Sequence, residues 1–116
     1  MKVIIAGGRD FMDLELLYRS CSEILKDKTV QEIVSGCAKG ADRAGESYAK
    51  FNKIAIKKFP AEWDKYGKSA GYRRNKDMAE YADVLIAFWN GESKGTKHMI
   101  DLATSNKLQV HIIKYT

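Results

Sequence analysis

The chain has 116 residues, 45% of them hydrophobic and 30% charged, with a net charge of +5 at neutral pH. That is the length and composition of one globular domain with a continuous core, and not of a disordered or membrane chain. No apolar run approaches the ~20 residues that span a bilayer. The apolar stretch in the opening MKVIIAGGRDF is too short for a signal peptide. A cytoplasmic protein without membrane contact, forming a single domain over residues 1–116, is therefore expected. Two cysteines, Cys21 and Cys37, make no disulfide framework and fit a reducing compartment. The positive charge favours anionic partners. Lysines such as Lys26, Lys28, Lys50, Lys53, Lys57 and Lys58 are dispersed as on an ordinary solvated surface, which ranks nucleic-acid binding last among the functions considered.

In chain order, Val3 to Ala6 is a β-branched apolar run ending in Gly7-Gly8, a buried strand. Residues 13–26 place Leu14, Leu17, Tyr18, Cys21, Ile24 and Leu25 at helical spacing. Glu32 to Ser35 is a second strand. Asp42 to Phe51 is a helix with Ala44, Tyr48 and Phe51 on one face. Ile54 to Phe59 alternates apolar and basic residues, as in a less buried strand. Ser69 to Ala82 is a third helix, Val84 to Phe88 a fully apolar strand, Gly95 to Ser105 a fourth helix and Val110 to Lys114 the last strand. Such β-α alternation predicts an α/β, Rossmann-like, doubly wound five-stranded parallel sheet of order 3-2-1-4-5, with helices on both faces.

The glycines are placed unevenly. Gly7, Gly8, Gly36, Gly40, Gly67, Gly71, Gly91 and Gly95 fall between a strand and the following helix, whereas helix-to-strand connections such as Lys26-Asp27-Lys28 and Asn52-Lys53 have none. In a parallel sheet all strand-to-helix loops lie at the carboxyl edge, where ligands bind in open α/β folds. A ligand site at that edge is therefore expected.

Four loops supply the candidates. In Gly7-Gly8-Arg9-Asp10-Phe11, the glycines admit a ligand to the backbone, Arg9 suits a phosphate, and Asp10 either holds a ribose hydroxyl or caps the helix. The G-x-G-x-x-G fingerprint is absent. In the second loop, Ser35 to Asp42, small residues including Gly36 and Gly40 leave room for a ligand. Ser35 offers a hydroxyl there, and Asp42 is either a cap or a sugar-hydroxyl acceptor. Cys37, near a helix start, could have a lowered pKa, but with no evident base beside it a bystander thiol is expected over a nucleophile. The third, Pro60 to Asn75, is long for a loop and sets Trp63 and Tyr72 near Arg73 and Arg74, a combination suited to a base plus a phosphate. Trp63 could equally pin the segment to the core. Gly67-Lys68-Ser69 is not a phosphate-binding loop of the Walker type, because Glu62 stands where its upstream glycine belongs. The fourth loop runs from Trp89 through Gly91 and Ser93 to Gly95 and Thr96, and puts free N–H groups and a hydroxyl where a phosphate could sit. His98 and His111 lack companions at ligand spacing, so no metal and no cofactor are expected.

Taken together, GGRDF, SGCAKGAD, AEWDKYGKSAGYRRNKDM and ADVLIAFWNGESKGT resemble the SLOG superfamily, and within it the branch related to YspA and cpYpsA. The superfamily also holds the lonely-guy phosphoribohydrolases and, at the level of fold, the DNA-processing protein DprA. The lonely-guy enzymes carry R-K-x-x-M, an aspartate opening a strand, then P-G-G-x-G-T-x-E. Arg74-Asn75-Lys76-Asp77-Met78, Asp83 and Gly95-Thr96 match these parts, so the resemblance implies a functional role for Arg74. The loop before Gly95 is longer and lacks the proline and paired glycines, and His98 stands in the catalytic glutamate's place. The resemblance implies a nucleotide site more firmly than hydrolysis.

The expected ligand set is Gly7, Gly8, Arg9, Asp10, Ser35, Gly36, Gly40, Asp42, Trp63, Arg73, Arg74, Asn75, Trp89, Gly91, Ser93, Gly95 and Thr96. The expected partner is a nucleotide-derived small molecule such as an NAD- or ADP-ribose-type derivative or a nucleoside phosphate, bound at the carboxyl edge by a sensor, carrier or sequestering protein. The alternative is an N-glycoside hydrolase of nucleoside 5′-monophosphates, with Arg74 on the phosphate and Glu62, Asp10 or Asp42 replacing the missing glutamate. The apolar helix faces are compatible with a homo-oligomer, which SLOG relatives often form.

Overall fold

The computed structural model describes all residues from Met1 to Thr116. The elements are β1 (Lys2–Gly7), α1 (Leu14–Leu25), β2 (Glu32–Ser35), α2 (Ala41–Phe51), β3 (Ala55–Lys58), a short α3 (Trp63–Tyr66), α4 (Ala70–Tyr81), β4 (Val84–Trp89), α5 (Lys94–Ser105) and β5 (Gln109–Lys114). Each of the nine elements expected from the residue pattern is present, its ends displaced by at most one residue. The five strands form one parallel sheet in the expected order β3-β2-β1-β4-β5.

The central strands read as unbroken apolar runs because both of their faces are covered. Successive side chains of a strand alternate between faces. Val3 and Ile5 of β1 join Ile86 and Phe88 of β4 beneath α1 and α2, with Leu17, Cys21 and Tyr48. Ile4 and Ala6 join Leu85 and Ala87 beneath α4 and α5, with Met78, Met99 and Ile100. The register Ile4↔Leu85 and Ile5↔Ile86 aligns the two alternations. Leu17 and Ile5 are wholly buried, and truncating either to Ala would cost about 2–5 kcal/mol. Helix α2 comes unusually close to the sheet at Gly45, where an added Cβ would lie 2.8 Å from Ile5 Cβ. At the sheet edge, β3 exposes Lys57 and Lys58, which discourages pairing with a further strand.

One expectation is overturned. Pro60 to Asn75 is not a long open loop, because Lys65 and Tyr66 N–H groups bond the Glu62 carbonyl to close α3. A 3₁₀ turn, Gly67–Ser69, then leads into α4. Gly71 therefore lies inside α4 and not in a connection. No helix is long and apolar enough to cross a membrane.

Candidate functional site

β1 and β4 lie side by side, yet β1 feeds α1 on one face and β4 feeds α5 on the other. Their loops diverge and leave a crevice at the carboxyl edge. A cavity of about 430 Å³ occupies it, lined by Ala6 to Asp10, by Ala38 and Asp42, by Arg74, Asn75 and Met78, and by Asn90, Ser93, Gly95, Thr96 and Met99. Three of the four loops and the start of α4 thus meet in one space.

The first loop is stitched to the second. Phe11 N–H and Ala41 N–H both donate to the Gly8 carbonyl, at 3.3 and 3.2 Å, and Gly8 N–H donates to the Phe88 carbonyl at 3.2 Å. Gly40 makes this approach possible. Its φ is +81°, and a Cβ there would lie 2.2 Å from the Gly8 carbonyl oxygen. Asp10 does not cap α1. Asp13 does, accepting from Leu16 N–H at 3.0 Å, because the chain takes three more residues to turn into the helix. Asp10 instead accepts from the Tyr115 hydroxyl at 2.6 Å. Burial, with Asp10 beside it, raises that phenol to about 12. Phe11 is a packing residue, its ring centroid 5.0 Å from Phe88 and 4.9 Å from Tyr115.

In the second loop Ser35 is buried and turned inward. Its hydroxyl donates to Glu46 at 2.6 Å and accepts from Cys37 N–H at 3.1 Å. Glu46 was missed in the sequence, although its place four residues after Asp42 on the inner face of α2 was the available signal. Asp42 is not an N-cap; Gly40 holds that position without a side-chain bond. Asp42 closes the loop by accepting from Ala38 N–H at 3.2 Å. Burial raises its carboxyl to about 6 against the opposing pull of that N–H and of Arg74. The Cys37 thiol is raised by burial and by Glu46, because the pull of Lys58 and the Ser35 hydrogen bond is outweighed, which suits a bystander thiol.

Arg74 is the tie across the crevice. It donates from Nη1 to the Gly36 carbonyl and from Nε to Asn75 Oδ1 at 3.0 Å. Asn75 passes the connection on, donating to the Gly95 carbonyl at 3.4 Å and meeting His98 Nδ1 at 3.3 Å. Burial lowers the pKa of Arg74, while Asp42 acts in the opposite sense.

At the fourth loop Ser93 caps α5, accepting from Thr96 N–H at 3.3 Å and lying 3.0 Å from Thr96 Oγ1. The Thr96 N–H is therefore engaged, and the open donors at the helix start belong to Lys94 and Gly95. Gly95 lines the cavity, and a Cβ added to it would meet no protein atom within 4 Å.

Several expected ligand residues lie outside this cavity. Arg73 bonds Ser69 at 3.2 Å and stacks 4.3 Å over the Tyr66 ring. Trp89 donates to the Ser93 carbonyl at 3.1 Å and braces the loop from behind, and Gly91 sits at the loop tip with φ +87°. Glu62 is exposed at the start of α3. Trp63 is 50% exposed, so it does not pin its segment to the core. With Gly36 it lines a neighbouring cavity. His98, in the glutamate's place, packs edge-on against Tyr72 at 4.4 Å, and burial lowers its pKa. Asn90, Met78 and Met99 complete the walls. The sequence reading passed over Asn90 because asparagines in polar loops are common.

A doubly wound parallel sheet with a cavity at its switch point defines an α/β protein of the Rossmann-like class. Residues 1–66 match the YspA, cpYpsA-related SLOG family. The chain is also 32% identical over 105 residues to the Gene 61 protein of Mycobacterium phage D29, covering 84% of this chain and 83% of that one. The chain belongs to the YspA, cpYpsA-related SLOG family.

Proposed function

We propose that the protein binds a nucleotide or nucleotide-derived ligand in the crevice cavity, as a sensor, carrier or sequestering protein. One observation carries the reading. Gly95 sits in the first turn of α5, where glycine is neither forced by a positive φ nor required by packing. An Ala there would favour the helix by up to about 1 kcal/mol. A bare backbone kept at that cost leaves room for an anion at a helix N-terminus. Arg9 and Arg74 supply charge for the phosphate, and Asp42 and Asp10 supply acceptors for sugar hydroxyls.

Gly95→Glu tests the reading. A carboxylate in the first helical turn is tolerated or mildly stabilising, but it would occupy the anion's place. Calorimetric titration against ribonucleoside 5′-phosphates should show one saturable site in the native protein. Affinity should fall at least about tenfold in the variant, or 1.4 kcal/mol, with the melting temperature kept. Unchanged affinity in Gly95→Glu would place the ligand elsewhere.

A second reading rests on Asp42, a buried carboxylate in the cavity wall whose proton is held to about pH 6. It fits an N-glycoside hydrolase in which Asp42 steadies positive charge developing on the ribose. Release of free base from nucleoside 5′-monophosphates, followed by chromatography and abolished in Asp42→Asn, would support it. Intact nucleotides after prolonged incubation would remove it.

A further inference from the structure

The neighbouring cavity, of about 460 Å³, differs in chemistry from the first. The crevice cavity has two carboxylates in its wall, Asp10 and Asp42. Its neighbour has Arg9, Lys39, Arg43 and Arg74 and no carboxylate. The chain's three ion pairs are all short-range surface pairs elsewhere; Asp42 in the crevice wall attracts Arg74 and Arg9, one carboxylate against four cations. Like charges gathered in excess of their counter-charge repel one another, and a bound anion relieves that cost.

The two cavities share Arg9, Ala38 and Arg74. Arg74 is bonded through Nε and Nη1, which leaves Nη2 for a ligand. That nitrogen and the Trp63 ring both come over Gly71. A Cβ on Gly71 would lie 3.8 Å from Arg74 Nη2 and 3.4 Å from Trp63 Cη2. A half-exposed indole thus stands beside an unused guanidinium nitrogen at the join between two cavities. Indoles offer a flat stacking surface to nucleobases, and guanidinium groups bind phosphate. Each cavity has the size of a small-molecule site, about 300–1,000 Å³.

We propose that the second cavity is a subsite for the far half of a two-headed ligand, a dinucleoside diphosphate. One nucleoside lies in the crevice, the bridging diphosphate crosses the shared wall at Arg9 and Arg74, and the second base stacks on Trp63 beside Arg43. This rests on the reading of the crevice given above and adds a second base and phosphate to it.

The test is calorimetric titration with the four ribonucleoside 5′-monophosphates, the matching 5′-diphosphates and the matching symmetrical dinucleoside diphosphates. Against the native chain, at least one dinucleoside diphosphate should bind about tenfold or more tighter than its own monophosphate, as expected of one added stacked base. The 5′-diphosphate should fall between them. Trp63→Ala should remove the advantage of the second base, and Arg43→Ala should reduce it. Both should leave monophosphate affinity within about twofold. Circular dichroism confirms that the variants fold. A dinucleoside diphosphate no tighter than the monophosphate, or an advantage that survives Trp63→Ala, overturns the subsite while leaving the crevice reading intact. If none of the nucleotides binds, the crevice reading fails and the subsite falls with it.

Discussion

The two ends of the sheet are built on opposite terms. At the amino edge the chain satisfies itself. Ile54 N–H returns to the Ala49 carbonyl at 2.8 Å and Leu108 N–H to that of Ala103 at 2.9 Å. The Met1 amine bonds the Thr29 carbonyl at 2.8 Å, and Asp83 Oδ2 takes the Lys2 N–H at 2.9 Å. Lysines even occupy left-handed positions there, Lys53 at φ +56° and Lys107 at φ +63°. At the carboxyl edge the left-handed positions are Cys37, Gly40, Gly67 and Gly91, three of the four being glycines. There, charged side chains are drawn inward, and backbone donors at the start of α5 are left open. The amino edge spends its polar groups on closing turns, and the carboxyl edge keeps some for something else. That division of labour, more than any single motif in the chain, is what the proposed crevice site rests on.

Swapping residues between the edges should break the comparison most sharply. Gly40→Ala forces a Cβ against the Gly8 carbonyl at a left-handed φ and should cost about 3 kcal/mol or more, read as a loss of several degrees in melting temperature. The opposite exchange, Lys107→Gly, relieves a left-handed lysine and should be neutral or stabilising by up to about 1 kcal/mol. Equal losses in both variants would deny that the edges differ.

Asp42 gives the next effect. Its carboxyl rises from 3.8 to about 6 on folding, so the folded chain holds the proton more tightly than the unfolded one. Stability is therefore lost as pH rises from about 4 to about 6, and the full cost, on the order of 2–3 kcal/mol, remains above pH 6. Asp42→Asn keeps an acceptor for the Ala38 N–H but cannot ionise. Denaturant melts from pH 4 to 7 should show the native chain losing ground to the variant across that window. Parallel curves would mean that the carboxylate is well solvated. Smaller again is the cap of α1, where Asp13→Ala should cost about 1 kcal/mol, measured by thermal melting, with no effect on any ligand.

The strands and helices were legible because burial on both faces of β1 and β4 leaves apolar runs that nothing else explains. The crevice was legible as far as its glycines. The glycine-rich loops around Gly7, Gly8 and Gly95, with Asp42 and Arg74, do converge on one cavity. Partnering was not legible, since it depends on which way side chains turn in the folded chain, whether the partner is near in sequence or at its other end. Ser35 is claimed by Glu46, Asp10 by Tyr115 and Arg73 by Tyr66. Arg74 spends two of its three nitrogens on holding Gly36 and Asn75, so its truncation would cost stability as well as affinity. Arg74→Lys is the milder probe. It should weaken a phosphorylated ligand by about 1.5–3 kcal/mol, the range for hydrogen bonds to charged groups, and leave the dephosphorylated analogue nearly unchanged.

The contrast between the edges is tested most directly by following backbone amide resonances during titration with a bound ribonucleoside 5′-phosphate. Shifts should concentrate at Gly7 to Asp10, Ala38 and Lys94 to Thr96, while Lys53, Ile54, Lys107 and Leu108 at the amino edge stay still. Shifts centred on the amino edge or on the outer face of α1, or no shift at millimolar nucleotide with the protein folded, would contradict a carboxyl-edge nucleotide site.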